Sequence, residues 1–490
     1  MKRIFLTLLF CAAALTVRGN APGKDLYLDL MQKAVEGVRV FVTTRDGALL
    51  FDGQEAPSVD AVSGDIEIGS DPFGGPIAGF GPALTGASCY NLLRMPQEAR
   101  TALLKECFDP AEGLGWSLVR CSIGASDFSV DEDFTWCDTP GLEHFAVHRE
   151  DRDYLFPILR EIYAINPGLK IIGSPWSAPL WMKCETGDPS KPHPAWPGGS
   201  LRKECYGDYA AYFVKWIQTM LSEGFDIYAV TPQNEPLHPG NSMSTYMTWE
   251  EEAAFVGTAL GPALREAGLD TRILVFDHNY NYDKIPDQQG YPLHIFADPV
   301  AAPFVAGSAW HNYGGSVSEL DRIRAAAPDK EIYFTEASIG TWNYDFGKRV
   351  LSDFRSIFME TLARGCQGVT LWNMALDENR RPFRPGGCST CFGVVTISSS
   401  GDAEVLHRSS QYYDLAHCSK VIRPGARMLP CSGPDLPGLK YQAFSNPDGS
   451  TGILLLNESD GDLTLALRRS GRHLSSCLSP ARSIVSVLVP

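Results

Sequence analysis

Positive charge is what this sequence has least of: 42 Lys and Arg stand against 58 Asp and Glu, a formal charge of −16. No basic stripe or run of like charge offsets that balance. Nucleic acid and anionic membrane surfaces are excluded as partners, because binding phosphates takes clustered Lys and Arg. Long apolar runs are scarce as well. Past the first twenty residues nothing approaches the roughly 20 consecutive apolar residues of a membrane span, so no integral membrane association is expected. No Gly-x-Gly-x-x-Gly opens a helix near the start, which argues against a dinucleotide-binding open sheet. The Gly-x-Ser-x-Gly elbow of a serine esterase is missing too, and there is no internal repeat or low-complexity linker. Cys388 and Cys391 form a Cys-x-x-Cys, yet no second pair or histidine partner follows at zinc-finger spacing. A zinc site is therefore not expected; a local disulfide and two free thiols both remain open.

What is there suits one large folded unit and a smaller one: 490 residues, 44% of them hydrophobic and 11% aromatic, enough to fill a big core. Lys2 and Arg3, the apolar stretch Ile4 to Val17 and the small or polar residues Arg18 to Asn20 read as a signal peptide over residues 1–19. The chain is thus expected to be exported, to a periplasmic, cell-surface or extracellular address. Phe10 is a poor neighbour for a lipidated Cys11. The remaining twelve cysteines are an even number in an exported chain, so disulfides are permitted. Cys184 with Cys205 is a candidate loop closure. Cys121 and Cys366 fall in or beside predicted buried elements and read as small apolar residues.

From about Ala78 to Lys420 strand-like and helix-like segments alternate, the pattern of a parallel sheet with crossover helices. Eight strands are predicted: Ile77 to Leu84, Trp116 to Ile123, Lys170 to Ser174, Asp226 to Thr231, Arg272 to Asp277, Phe304 to Trp310, Glu331 to Thr335 and Gly368 to Trp372. Between them, Tyr209, Tyr212, Phe213, Trp216, Ile217 and Met220 recur at helical spacing, and Thr248 with Glu251 makes a capping box. The fold class expected is α/β, a (β/α)8 TIM barrel over 76–424. The flanks carry only short strands and turns, among them Val38 to Thr44 and Ile484 to Val489. Residues 20–75 and 425–490 are therefore expected to combine into one all-β sandwich formed from both chain ends, since either set alone leaves unpaired edges.

Two of the barrel strands stop at a glutamate, Glu235 in Thr231-Pro232-Gln233-Asn234-Glu235-Pro236 and Glu336 in Thr335-Glu336-Ala337. All strand ends of a parallel barrel open into one mouth. One protonated and one ionised carboxyl there are the minimum equipment for cleaving a glycosidic bond. The same rim gathers Arg120, Asp127, Trp176, Asn234, His311, Tyr313, Trp372 and Asn373, flat aromatic faces and hydroxyl-binding groups of the kind a sugar site uses. Asp277, His278 and Asp283 cluster after strand five, but their spacing fits no metal-ligand pattern; they read as solvated strand-end groups. Neither a metal nor an organic cofactor is called for.

With these residues in place the chain resembles glycoside hydrolase family 30, which includes lysosomal-type glucosylceramidases and microbial endo-β-1,6-glucanases. The matching stretches run in order through the barrel. They are Gly79 to Thr85, Val119-Arg120 with Ser126 to Ser129, Ser174-Pro175-Trp176, Ala229 to Pro236, Trp310 to Tyr313, Thr335-Glu336-Ala337 and Leu371 to Leu376. The resemblance implies that Glu235 is the general acid/base and Glu336 the nucleophile of a retaining mechanism. It further implies that Asn234 holds the sugar 2-hydroxyl, and that Arg120, Asp127, Trp176, Tyr313 and Trp372 shape the subsite for the sugar being cleaved. The late asparagine by which glucosylceramidases also touch the sugar falls in the loop after strand eight, where no residue of this sequence is matched to it. In its loop stands Gly386 to Val395, which looks like the β-1,6-glucanase branch, and the loop from Asp377 to about His407 is long enough to wall the site. A monomeric enzyme acting on β-glucan is expected. The alternatives are a glucosylceramidase, an exo-acting β-glucosidase, or a carbohydrate-binding barrel without catalysis.

Overall fold

The computed structural model describes residues 37–54, 63–400 and 404–490; the signal-peptide reading of residues 1–19 lies outside them. Eight parallel strands form one sheet in chain order: Gly79–Pro82, Leu118–Ser122, Lys170–Ser174, Ile227–Val230, Arg272–Asn279, Val305–His311, Glu331–Glu336 and Cys366–Leu371. The eighth strand pairs with the first. The last seam, between the first and second, is closed by the bridge Ala83–Arg120 and by bonds from Leu84 N to Arg120 O (2.8 Å) and Ser117 N to Phe80 O (3.0 Å). The sheet is therefore a barrel, on the eight segments the periodicity predicts.

The crossover helices follow from their sequences. Tyr206–Ser222 buries Tyr209, Tyr212, Phe213, Trp216, Ile217 and Met220 on one face. Trp249–Phe255 begins at the predicted box: Thr248 Oγ1 accepts from Glu251 N, and the Glu251 carboxylate accepts from Thr248 N. Such reciprocal capping satisfies two of the orphan donors at a helix start.

Inside the barrel the side chains stack in layers, because residues two apart on a strand face the same way. One layer is apolar, with Leu118, Ile172, Ala229, Leu274, Ala309 and Tyr333 packed together. Two residues further along the same strands stand Arg120, Ser174, Thr231, His311 and Thr335, all buried. The fifth strand breaks step. The register shifts between Phe276 and His278, and Phe276 and Asp277 take φ of 79° and 52°. This bulge turns Asp277, in place of Phe276, into the polar layer, as bulges beside active sites re-aim side chains.

The chain's flanks form two further sheets. One runs Arg427–Leu429, Leu439–Ser445, Thr451–Asn457, Ser483–Val489, Arg39–Thr44, Leu50–Gln54; the other runs Cys431–Ser432, Gly64–Ile68, Leu463–Arg469, Arg472–Ser479. Val40, Val42, Ile66 and Ile68 share one core with Leu455, Leu465, Val485 and Val487, so each sheet of this sandwich mixes both ends of the chain. The helix Ser410–Val421 lies between barrel and sandwich, where His417 hydrogen-bonds Ser486 Oγ (2.9 Å) and Thr43 Oγ1 (2.8 Å).

Of the two cysteine pairs considered, Cys388 and Cys391 are joined. Cys184 and Cys205 are not: both are buried free thiols, and Cys184 Sγ is turned to the Ser200 carbonyl at 3.4 Å.

Candidate active site

At the barrel mouth Glu235, Glu336, Asp127, Tyr313 and Trp372 line one cavity of about 480 Å³. Beneath them the polar layer works as a single hydrogen-bonded frame. Arg120, fully buried, donates from Nη1 to Glu336 Oε2 (2.6 Å) and from Nη2 to Asp277 Oδ2 (2.6 Å) and Asn234 Oδ1 (2.7 Å). Its guanidinium also lies 4.8 Å from the Trp176 ring centroid and 5.7 Å from that of Trp372, within cation–π range. Asp277 accepts further bonds from Ser174 (2.8 Å), Thr231 (2.9 Å) and Thr335 (2.6 Å). His311 joins Asp277 Oδ1 through Nε2 (3.1 Å) to Glu235 Oε1 through Nδ1 (3.2 Å). Tyr313 donates to Glu336 Oε1 at 3.0 Å, and Asn241 Nδ2 to Glu235 Oε2 at 3.3 Å.

The predicted site residues thus fall into two tiers. Asp127, Glu235, Tyr313, Glu336 and Trp372 face the cavity. Arg120, Trp176, Asn234 and His311 stand behind and hold them, Trp176 stacked on Trp372 with centroids 4.9 Å apart. Asn373 belongs to neither. The chain turns as it leaves strand eight, so Trp372 faces the cavity and the next side chain faces away, where Asn373 Oδ1 accepts from Ser88 Oγ (3.0 Å). Asp277 and His278 also depart from their reading as solvated groups. Both are fully buried, and Asp277 is the hub of the frame.

Charge is distributed unevenly over this frame. Burial would raise Asp277, but Arg120 and then His311 hold its carboxyl well below the ordinary range. Burial would lower His311; the charges and hydrogen bonds of Glu336, Asp277 and Glu235 lift it to about 9. Burial would likewise raise Glu235, yet the bond from His311 and the neighbouring His278 and His238 hold it down to about 2. Glu336 is pushed up, by burial first and by the charges of Glu235 and Asp277, against the pull of His311 and Arg120. The Glu336 charge thus does not by itself hold Glu235 protonated: the directions of these shifts favour the imidazolium form of His311 beside it. Asp127 is pushed up to about 8, chiefly by burial and the Glu336 charge, against a hydrogen bond from the Cys388 backbone.

Oxygens of Glu235 and Glu336 and a ring nitrogen of His311 lie within 4.8 Å of one another. Arg120 already occupies Glu336, and both nitrogens of His311 are committed to carboxylates. A cation placed there would face a permanent guanidinium charge, so the cluster suits proton transfer better than metal binding.

The strand-eight loop closes one side of the cavity with Gly386, Gly387, Cys388 and Cys391. Of its charged residues, Asp377 and Arg380 bond within the loop and Arg384 ties it to the loop after strand two. Arg384 pairs with Asp133 (2.9 Å), Arg380 donates to Ser389 O (3.0 Å), and Asp377 accepts from the backbone of Asn379 and Arg381 (2.8 Å each).

Against this geometry, the description "Glycosyl hydrolase family 30 TIM-barrel domain" matches residues 77–422, and "Glycosyl hydrolase family 30 beta sandwich domain" matches residues 425–487. The chain is 30% identical over 433 residues to the endo-1,6-beta-D-glucanase of Neurospora crassa, covering 84% of this chain and 85% of that one. It is 26% identical over 433 residues to the lysosomal acid glucosylceramidase of Mus musculus, covering 84% and 81%. The solved structure of the endo-beta1,6-glucanase BT3312 superposes with a TM-score of 0.89 at 44% identity, covering 92% of this chain and 99% of that one.

Proposed function

This chain belongs to glycosyl hydrolase family 30 and is a glycoside hydrolase, and we propose that it is a retaining endo-β-1,6-glucanase in which Glu336 is the nucleophile and Glu235 the acid/base. The observation that carries the mechanism is the approach of the two carboxylates. Retaining enzymes hold theirs roughly 5–5.5 Å apart and inverting enzymes roughly 6.5–9.5 Å, to admit a water. Glu235 and Glu336 bring oxygens within 4.8 Å of one another, a close approach of the kind direct attack by Glu336 calls for.

In the first step ionised Glu336, aligned by Arg120 and Tyr313, attacks the anomeric carbon. The bond to the leaving oxygen breaks as that oxygen takes a proton from Glu235. Glu235 obtains this proton from His311: moving one proton across the 3.2 Å Nδ1–Oε1 contact converts imidazolium and carboxylate into neutral imidazole and carboxylic acid, with Asp277 holding the ring. The internal transfer leaves the site's charge unchanged; the proton then departs on the leaving oxygen and is replaced in the second step. In the second step Glu235 takes a proton from water, whose oxygen attacks the glycosyl ester and frees Glu336 with net retention.

The β-1,6 linkage rests on the similarity to enzymes bearing that name and on the mouth's character. Its rim offers His238, Asn241 and Asp283 beside the disulfide loop, and among the described residues Tyr313 and Trp342 are the exposed large aromatics that line it, a surface better matched to sugar rings than to a ceramide. A panel of β-1,6-glucan, β-1,3-glucan, xylan and glucosylceramide with product sizes tests this. Oligosaccharides of several lengths are expected first from β-1,6-glucan. Glucose alone from the first time point, or faster turnover of glucosylceramide, rejects it.

A further inference from the structure

The frame beneath the cavity accounts for one sugar. Arg120, Asp127, Trp176 and Trp372 close the mouth on the side of strands two, three and eight, and all are buried. Glu235 stands in the segment that follows strand four, and an acid must face the oxygen it protonates, so the departing part of the substrate lies over the half of the rim that strands four to seven supply. Two features of that half are so far unused.

The first is Trp342, on the loop after the nucleophile strand. It lines the same cavity and is 41% exposed, unusual for a tryptophan beside a pocket. Its seat is built. A Cβ on Gly340 would come within 2.0 Å of the Trp342 ring, and Gly340 itself is bridged to Cys391 of the disulfide loop. The glycine lets the indole lie directly on backbone that a cross-link holds.

The second is the His278–Asp283 pair. His278 is fully buried, and neither ring nitrogen has a hydrogen-bond partner among the described residues. Nε2 lies 3.4 Å from Asp283 Oδ2 and 4.0 Å from Glu235 Oε1. Asp283 projects into the cavity from a left-handed run, Tyr282, Asp283 and Lys284 at φ of 52°, 48° and 60°. Three consecutive non-glycine residues in that region are costly, and such strain gathers at ligand clamps. Asn279 Nδ2 fixes the other Asp283 oxygen at 3.0 Å.

We propose that Trp342 and the His278–Asp283 pair form the subsite for the leaving-group sugar, the indole stacking on the apolar ring face and Asp283 accepting from hydroxyls. The inference rests on the glucanase reading above and extends it: the group expelled is itself a pyranose, not a lipid. An aromatic face opposed by a carboxylate is the pairing a sugar ring with one apolar side requires.

The test compares a substrate that fills this subsite with one that does not, β-1,6-linked glucotetraose against β-glucosyl fluoride. Trp342→Ala and Asp283→Ala should each lower kcat/KM for the tetraose at least tenfold and leave that for the fluoride within about twofold of wild type. Trp342→Phe should recover most of the loss. Equal losses on both substrates, or no loss on the tetraose, overturn the proposal. If wild type instead prefers a tetraose of another linkage, the linkage reading fails while the same comparison on that tetraose still decides the subsite. Wild-type hydrolysis of the fluoride with no cleavage of any β-linked tetraose refutes both.

Discussion

Arg120 shows how one side chain sets several others. Its bonds to Glu336, Asp277 and Asn234 place the proposed nucleophile, the hub carboxylate and the proposed 2-hydroxyl contact from a single cation. Glu336→Gln keeps the shape but removes the charge that attacks, and should lower kcat by roughly a thousandfold or more, with Glu235→Gln falling in the roughly 10²–10⁴ range of lost acid–base catalysis. Both should melt within a few degrees of wild type, and azide should restore turnover of an activated glucoside in Glu235→Ala, giving the β-glycosyl azide. Near-normal kcat in Glu336→Gln would reject the assignment. The His311–Glu235 proton makes a second prediction. Because His311 is lifted to about 9, the shared proton is present below that pH and lost as pH rises through it. The alkaline limb of kcat/KM should therefore lie above the range of an isolated carboxylic acid and move downward in His311→Asn; an unchanged limb would show that the proton comes from elsewhere. At this scale the two glutamates were legible in sequence because each follows a run of strand-forming residues, Glu336 as the last residue of its strand and Glu235 just beyond the end of its own. Asp277 was not, since its inward direction comes from a bulge that no pattern of residue types reports, and Asn373 misled because the turn after Trp372 sends neighbouring side chains to opposite sides.

Elements carried more of the signal. All eight barrel strands lie where alternating strand and helix patterns put them, and the capping box and aromatic helix face are formed as spelled. The apolar layer and the polar layer two residues beyond it were also readable in principle, as Leu118 then Arg120 or Ala309 then His311. What escaped was structure inside the loops. Lys183–Glu185, Asp188–Pro192 and Ser200–Leu201 form a small sheet of their own, as do Ala375–Asp377, Val395–Ile397 and Val405–Arg408, of which only Val395–Ile397 lies in a stretch, Phe392 to Ile397, that reads as strand-like in sequence. Proline, glycine and charge in these stretches hide pairing that only the barrel rim makes possible. The strand-eight loop yields the third prediction. Gly387 N bonds Arg384 O, Arg384 N bonds Asp127 O, and Cys388 presents its backbone to the Asp127 carboxylate, so the Cys388–Cys391 link braces a wall that also orients an acid proposed to bind the sugar. Removing a cross-link that closes so short a loop should cost less than the about 3 kcal/mol of a 15-residue one. Cys388→Ser/Cys391→Ser should therefore stay folded and raise KM for glucan several-fold with a smaller change in kcat. Unchanged KM would show that the wall holds its shape without the bond.

On the scale of the whole molecule the chain's ends are one structural unit, and this binds the barrel to residues far from its mouth. Arg39–Thr44 pairs with Ser483–Val489 on one side and Leu50–Gln54 on the other, while Gly64–Ile68 pairs with Leu463–Arg469 and Cys431–Ser432. A chain beginning at Gly74 loses the last two strands of one sheet, leaving Ser483–Val489 as its new edge, and the internal Gly64–Ile68 of the other, which parts Cys431–Ser432 from Leu463–Arg469. It also loses Val40, Val42, Ile66 and Ile68, each at most 2% exposed and each worth about 1.5–3 kcal/mol on burial. Set against a total stability of about 5–15 kcal/mol, that is enough to undo the sandwich. The damage should not stop there. His417, buried against the sandwich, would lose Thr43 as partner, and the helix that carries it is buried along most of its length between the two units. A chain ending at Pro424 strips the other strands and leaves the same helix with an apolar face in water, a patch of the kind that drives aggregation. Both truncations should be insoluble, or melt far below the full chain with glycosidase activity lost in parallel. A soluble barrel with full activity in either would show that the sandwich is an accessory and that the helix Ser410–Val421 can close the barrel alone.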